Sequence, residues 1–150
     1  MISALERRRV LIVDDEEAIL RFLKASLTAN DYEVIEAKTG IEAIKRATAE
    51  APDVILLDLG LPDMDGKEVV RILREGSMTP IIVVSARARE AEKIEALDLG
   101  ANDYVNKPFG MGELLARLRA ALRHGITREA PAPITQIGSV TIDLVKRLVT

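Results

Sequence analysis

The stretch Val54-Ile-Leu-Leu-Asp58-Leu-Gly60-Leu-Pro62-Asp63-Met64-Asp65-Gly66 decides the fold of this chain. Its first four residues are apolar, which predicts a strand buried on both faces, as in a parallel sheet covered by helices on both sides. Asp58 ends this strand. Because ligands bind beside the carboxyl ends of the strands in open parallel sheets, Asp58 marks the edge where we expect the functional site.

The length and composition predict one globular domain plus a fragment. The chain has 150 residues, of which 48% are apolar, so it can bury one substantial core. It contains no cysteine, which excludes disulfide bonds and thiolate metal sites and fits a reducing compartment. We expect a cytoplasmic protein without a membrane partner, because no apolar run suits a signal peptide or a membrane span. The net charge of -3 gives no general attraction to nucleic acid.

Buried strands alternate with amphipathic helices along the first 124 residues. The predicted strands are 10–13, 32–37, 54–57, 81–84 and 103–105, and the predicted helices are 17–29, 41–50, 67–74, 90–99 and 111–124. Five such pairs indicate a three-layer α/β sandwich, and right-handed crossovers make its sheet parallel. Residues 125–137 contain two prolines and no apolar period, which predicts a linker, and residues 138–150 predict a short β-hairpin.

Polar side chains end four of the five predicted strands. Asp14 and Asp15 follow the first strand, Asp58 the third, Ser85 the fourth and Lys107 the fifth, and a parallel sheet brings these ends to one edge. Three carboxylates so close together repel one another unless a cation neutralises them, and this oxygen-ligand set suits Mg²⁺ better than Ca²⁺. A carboxylate, a lysine, a hydroxyl and Mg²⁺ are what phosphoryl transfer requires.

These motifs resemble the receiver domain of two-component response regulators. The resemblance is carried by Val-Asp14-Asp15-Glu, Leu-Leu-Asp58-Leu-Gly-Leu-Pro-Asp-Met-Asp-Gly, Val-Ser85-Ala86 and Asp103-Tyr104-Val-Asn-Lys107-Pro108-Phe109, in order, over residues 9–124. The last motif, followed by Gly-Glu-Leu, is similar to the OmpR/PhoB subfamily of transcription factors. This resemblance implies a flavodoxin-like fold with strand order 2-1-3-4-5.

The resemblance also implies a role for each residue at the sheet edge. Asp58 would accept a phosphoryl group from the phosphohistidine of a sensor histidine kinase. The implied Mg²⁺ ligands are Asp15, Asp58 and the Gly60 carbonyl, with Asp14 acting largely through water. The phosphoryl oxygens would be held by Ser85, Lys107 and the backbone N–H of Ala86. Ser85 and Tyr104 would form the conformational switch, and the Lys107-Pro108 peptide bond would be cis.

OmpR-type receivers form a two-fold dimer on phosphorylation, through the fourth helix, the fifth strand and the last helix. The residues here that match such a face are Lys93, Ile94, Leu97, Asp98, Asp103, Glu113, Ala116, Arg117 and Arg119. Lys93 would lie opposite Glu113, Asp103 opposite Arg117, and Asp98 opposite Arg119. Since Glu113 and Arg117 are also an ordinary i, i+4 pair, a purely intrachain pairing is the alternative interpretation.

The resemblance divides the chain into a receiver domain (residues 1–124), a linker (125–137) and the opening strands of a truncated winged-helix domain (138–150). DNA binding is therefore expected only through the C-terminal domain that this chain lacks, and the hairpin is expected to be disordered or ordered only by contact with another molecule.

The alternative function is that of an enzyme. An Mg²⁺-dependent aspartyl-phosphate hydrolase of the haloacid dehalogenase type would also use an aspartate nucleophile. That class places its nucleophile after the first strand in an Asp-x-Asp pattern, which Asp14-Asp15-Glu16 lacks. Asp63, Asp65 and Gly66 are interpreted as a turn and not as a Ca²⁺ loop, because the closing glutamate is missing. The sequence therefore favours a signalling switch over an enzyme.

Overall fold

The computed structural model describes residues 7–86 and 89–129, with side chains as far as residue 123. Its sheet has five parallel strands in the order β2-β1-β3-β4-β5, which confirms the predicted flavodoxin-like topology. The strands are β1 (Arg9–Val13), β2 (Glu33–Ala37), β3 (Val54–Leu57), β4 (Ile81–Ser85) and β5 (Asp103–Asn106). The helices are α1 (Glu17–Ala29), α2 (Gly40–Glu50), α3 (Gly66–Arg74), α4 (Glu90–Asp98) and α5 (Met111–Glu129).

The sheet separates two hydrophobic layers, because successive side chains of a strand point to opposite faces. In β1, Leu11 and Val13 pack in the layer under α2, α3 and α4, whereas Val10 and Ile12 pack in the layer under α1 and α5. All four residues of β3 are at most 1% exposed. The uninterrupted apolar run that begins at Val54 is thus explained by burial on both faces of the sheet.

The strand register places the carboxyl ends of the central strands side by side. Val13 pairs with Ala37 on one side and with Leu57 on the other. Immediately beyond these pairs, the Asp58 N–H donates to the Val13 carbonyl at 2.9 Å, and the Asp14 N–H donates to the Ala37 carbonyl at 3.1 Å. The backbone itself therefore fixes the positions from which the acidic side chains leave the sheet.

The last helix is longer than the sequence predicted. We expected it to end at residue 124, but α5 continues to Glu129 and so includes the first five residues of the predicted linker. Gly125 lies inside the helix, where glycine costs about 1 kcal/mol relative to alanine and does not prevent helix formation. Although α5 has 19 residues, neither it nor any other described helix is apolar enough to cross a membrane.

The remainder of the predicted linker and the C-terminal hairpin (138–150) lie outside the described residues. The same holds for residues 87 and 88, between β4 and α4.

Candidate functional site

Three carboxylates meet at the carboxyl edge of the sheet. Asp14 and Asp15 follow β1, Asp58 follows β3, and one oxygen of each lies within 4.8 Å of the others. Asp14 is only 3% exposed and the Asp58 side chain 12%, whereas Asp15 is open to solvent. Carboxylates held this close favour a bound cation, and a set of hard oxygen donors at an open edge fits Mg²⁺. The structure thus brings together the acidic cluster that the sequence predicted.

Lys107 supplies the positive charge beside this cluster. Its Nζ donates to Asp14 Oδ2 at 2.8 Å and lies 3.7 Å from Asp58 Oδ1 and from Glu16 Oε1. Burial lowers the pKa of Lys107. The hydrogen bond and charge of Asp14, together with the charges of Asp58 and Glu16, raise it by more than burial lowers it, so the net pKa shift is upward. The ammonium group therefore stays charged. The Lys107-Pro108 peptide bond is cis, as the family resemblance implied.

Asp58 is held in an environment that disfavours its charge. Burial raises the pKa of its carboxyl group, Lys107 opposes this, and the charge of Asp14 raises the pKa again. The backbone of Gly60, next to the carboxylate, lowers the pKa. The net pKa shift is upward, and burial is its largest cause, so a cation bound beside Asp58 would offset the cost of keeping this buried carboxylate charged.

Asp14 is engaged on both of its oxygens. Oδ1 accepts the Glu16 N–H at 2.9 Å, and Oδ2 accepts the Lys107 ammonium at 2.8 Å. Asp14 therefore orients the first turn of α1 and the lysine at the same time.

Ser85 and Tyr104 are both buried close to this edge. Ser85 ends β4 at 1% exposure, and its carbonyl accepts the Lys107 N–H at 2.9 Å. Tyr104 lies in β5 at 5% exposure, in the hydrophobic layer that also contains Ala96 of α4. Ala86 follows Ser85 and is exposed. The roles of these residues in phosphoryl binding and switching stay predictions.

The predicted dimer face is a mixed apolar and charged surface. Ile94 and Leu97 of α4 are 50% and 38% exposed. Arg117 Nη1 lies 2.9 Å from both carboxylate oxygens of Asp103, and Arg117 Nη2 lies 3.1 Å from Glu113. The pair of Asp103 and Arg117, which was expected between two subunits, thus forms within one chain. The other residues of this face are also exposed, namely Lys93, Asp98, Ala116 and Arg119.

Helix α4 is joined to α3 by an ion-pair cluster. Lys67 Nζ lies 2.8 Å from Glu95 and 2.9 Å from Glu92, and its side chain is only 16% exposed. Ala96 is the only buried residue of α4, so little apolar contact holds this helix on the sheet. Lys67 is therefore a principal link between the first turn of α3 and α4.

Sequence analysis missed two charged residues of the site region. Glu16 lies near Lys107, which its position directly after Asp14 and Asp15 could have indicated. Asp63 was interpreted as a turn residue, but its carboxylate binds the first N–H groups of α2. No local sequence signal could reveal that contact, because the partners are more than 20 residues apart in the chain.

The comparisons with known proteins identify the family. The model of the response regulator receiver domain matches residues 10–119. The KDP operon transcriptional regulatory protein KdpE of Escherichia coli (strain K12) is 51% identical over 140 residues, which are 93% of this chain and 62% of that protein. The response regulator MprA of Mycobacterium sp. (strain KMS) is 43% identical over 144 residues, which are 95% of this chain and 63% of that protein. The chain thus spans just over three fifths of these relatives.

Solved receiver domains share the fold. The receiver domain of the Francisella response regulator 1452 superimposes with a TM-score of 0.75 at 34% identity, over 79% of this chain and 98% of that one. The BeF3-activated N-terminal receiver domain of Klebsiella pneumoniae RstA gives 0.75 at 33% identity, over 77% and 99%.

The relatives also agree with a finer resemblance in the sequence. Leu-Asp58-Leu-Gly-Leu-Pro-Asp, Ser85-Ala-Arg and Pro-Phe-Gly110-Met-Gly-Glu-Leu favour the KdpE type within the OmpR/PhoB subfamily, and two KdpE proteins are among the curated relatives at 51% identity. The matched residues and the shared fold show that the chain belongs to the response regulator receiver domain family, the signalling domain of two-component systems.

Proposed function

We propose that Asp58 accepts a phosphoryl group from the phosphohistidine of a sensor histidine kinase. The observation that carries this proposal is the setting of its carboxylate, which lies within 4.8 Å of two further carboxylates and 3.7 Å from the Lys107 ammonium. A partly accessible carboxylate beside oxygen donors and a lysine can serve both as a metal ligand and as a nucleophile.

Asp15, Asp58 and the Gly60 carbonyl are the proposed direct ligands of Mg²⁺. Asp14 would act mainly through water, because both of its oxygens already accept hydrogen bonds from the protein. When bound, Mg²⁺ would supply the charge that neutralises the acidic cluster and the phosphoryl oxygens.

In the proposed transfer, a carboxylate oxygen of Asp58 forms a bond to phosphorus while the bond from phosphorus to the histidine nitrogen breaks. The electron pair of the broken bond stays with the imidazole. Lys107 would hold a phosphoryl oxygen electrostatically, and its raised pKa supports a permanently charged group there. The Ser85 hydroxyl and the Ala86 N–H would bind the remaining phosphoryl oxygens.

The output of phosphorylation would be a change of surface. Ser85 would move toward the phosphoryl group and Tyr104 would adjust with it, which stabilises an active conformation already present in the population. We propose that this conformation dimerises through α4, β5 and α5. Control of transcription by the whole protein, and DNA binding through a C-terminal domain, are part of the same proposal, which the names of the transcriptional regulatory relatives support.

The phosphoryl-acceptor assignment is tested by intact mass after incubation with Mg²⁺ and acetyl phosphate. We expect one phosphoryl group on the wild-type chain and none on Asp58→Asn. Asp31→Asn is a matched control, because Asp31 is exposed and has a positive φ of 70° that asparagine also tolerates. Full labelling of Asp58→Asn would refute the assignment. Steady turnover of small phosphate esters would instead favour the hydrolase alternative.

The dimer is tested by sedimentation of the chain with a beryllofluoride mimic of the phosphoryl group, which we expect to shift the monomer toward a dimer. Asp103→Arg and Arg117→Asp should each weaken the dimer. An equal mixture of the two variants should restore it, because each interchain pair then joins opposite charges while both intrachain pairs remain broken. A mixture that dimerises no better than the separate variants would contradict this face.

A further inference from the structure

The loop that follows Asp58 is closed at its base. We define the β3–α3 loop as residues 59–65. Gly60 and Asp65 form an antiparallel bridge, and the Gly66 N–H donates to the Leu59 carbonyl at 2.8 Å. Leu59 is fully buried. At this base, Gly60 lies beside the Asp58 carboxylate, since a Cβ atom on Gly60 would be 3.9 Å from Asp58 Oδ2, so the position of the loop directly affects the surroundings of the reactive side chain.

The tip of the β3–α3 loop is fastened to a different element. Asp63 Oδ1 accepts the Gly40 N–H at 2.8 Å, and Oδ2 accepts the Ile41 N–H at 3.0 Å. The first N–H groups of a helix have no partner within the helix, and the helix dipole favours an anion at this end. These two donors lower the pKa of the Asp63 carboxyl group, which keeps it charged.

A second contact holds the same tip. A Cβ atom at Gly40 would lie 2.5 Å from Met64 Cγ and 2.8 Å from Met64 Sδ. The Met64 side chain therefore occupies space that only a glycine at position 40 leaves open. Two neighbouring residues of the loop thus dock on the first turn of α2, one by charge and one by packing.

We propose that Asp63 is a positioning residue for the phosphoryl site, because it anchors the β3–α3 loop on α2 and so holds Gly60 in place beside Asp58. Asp63 does not touch the reacting atoms and acts through Gly60. The inference rests on the proposed function, in which the Gly60 carbonyl is a metal ligand. Its consequence is that loss of the anchor weakens Mg²⁺ binding even though every proposed ligand remains.

The test is a calorimetric titration of the full chain with Mg²⁺. Asp63→Ala should weaken Mg²⁺ binding about 10-fold, the lower end of the range for groups that orient metal ligands. Thr39→Ala is the matched control. Thr39 Oγ1 accepts the Glu42 N–H at 3.0 Å at the same end of α2, so both variants lose an N-cap acceptor of one helix, but Thr39 is not part of the loop. Thr39→Ala should leave Mg²⁺ binding unchanged.

Hydrogen exchange gives a readout that does not require metal. The Leu61 and Gly66 amides, which both donate to the Leu59 carbonyl, should exchange faster in Asp63→Ala and at the wild-type rate in Thr39→Ala. Asp63→Asn, which retains one acceptor oxygen, should bind Mg²⁺ with an affinity between those of the wild type and Asp63→Ala. It also serves as the test variant if the alanine variant does not fold.

The positioning role is refuted if both Asp63 variants bind Mg²⁺ like the wild type, or if Thr39→Ala loses as much affinity as Asp63→Ala. Either result can occur while the wild-type chain is still labelled by acetyl phosphate, which would leave the proposed function intact. Failure of the wild type to take up a phosphoryl group would refute the proposed function itself.

Discussion

Asp58→Asn is expected to stabilise the metal-free chain by about 1–2 kcal/mol, because it removes a charge from a partly buried acidic cluster. At an effective dielectric constant of about 20, Asp14, which lies within 4.8 Å, repels the Asp58 carboxylate by about 3.5 kcal/mol or more, and Lys107 at 3.7 Å attracts it by about 4.5 kcal/mol. The exposed Asp15 adds a repulsion of about 1 kcal/mol at most, since water screens it. The charge interactions therefore nearly cancel.

Burial of Asp58 then decides whether the substitution stabilises or destabilises the chain. The Asp58 side chain is 12% exposed, and desolvation is the largest cause of the upward shift of its pKa. Asparagine has nearly the same shape and carries no charge to desolvate. The penalty on the wild type is fully present above the raised pKa of folded Asp58 and disappears below the unfolded-state pKa of aspartate, about 3.9. The advantage of Asp58→Asn should therefore vanish as the pH falls below this value.

Urea unfolding in EDTA near neutral pH measures the effect. Asp14→Asn is a matched control with the opposite expected sign. It makes the same chemical change within the cluster, but breaks the 2.8 Å ion pair with Lys107, and should destabilise the chain by about 2 kcal/mol. Added Mg²⁺ should stabilise the wild type more than Asp58→Asn, because it binds the folded state. An Asp58→Asn chain that is less stable than the wild type in EDTA would show that this reasoning is wrong.

Two further predictions concern the elements around the loop after Asp58. Lys67→Met should speed hydrogen exchange in α4 and lower the free energy of unfolding by about 1 kcal/mol, because it removes the ion pairs to two glutamates of that helix. The control is Arg71→Met, which should leave hydrogen exchange in α4 unchanged because the partners of Arg71 are on or next to α3. Gly66→Ala should weaken Mg²⁺ binding, because its Cβ would lie 2.6 Å from the Leu59 Cα and the loop would have to shift. The control is Gly76→Ala, which has nothing within 4 Å of the new atom and should bind Mg²⁺ like the wild type. Unchanged Mg²⁺ binding in Gly66→Ala would contradict the importance of the loop geometry.

The sequence by itself determined the elements of the fold and the edge that carries the site. Nine of the ten predicted helices and strands agree with the observed bounds within one residue at each end. The reason is that short apolar runs, helical periodicity and helix-ending residues act locally; examples of the last are Pro52, just after α2, and Gly100, just after α4. Once the order of the elements is known, right-handed crossovers leave few possible sheets, so residues that end parallel strands must meet at one edge.

The sequence did not determine where α5 ends. Gly125 permits either the end of a helix or its continuation, and the difference of about 1 kcal/mol is too small for a local pattern to decide.

Only the tertiary structure decided which charged groups pair. Arg117 had candidate partners on its own helix and on a second subunit, and the fold places Asp103 of β5 within 2.9 Å of it in the same chain. Asp63 and Lys67 reach α2 and α4, which are distant in sequence, so no spacing rule could identify their partners. The raised pKa of Asp58 likewise depends on burial and on the distance to Lys107. Burial and charge pairing follow distances in space, and these exist only once the sheet and its helices have packed.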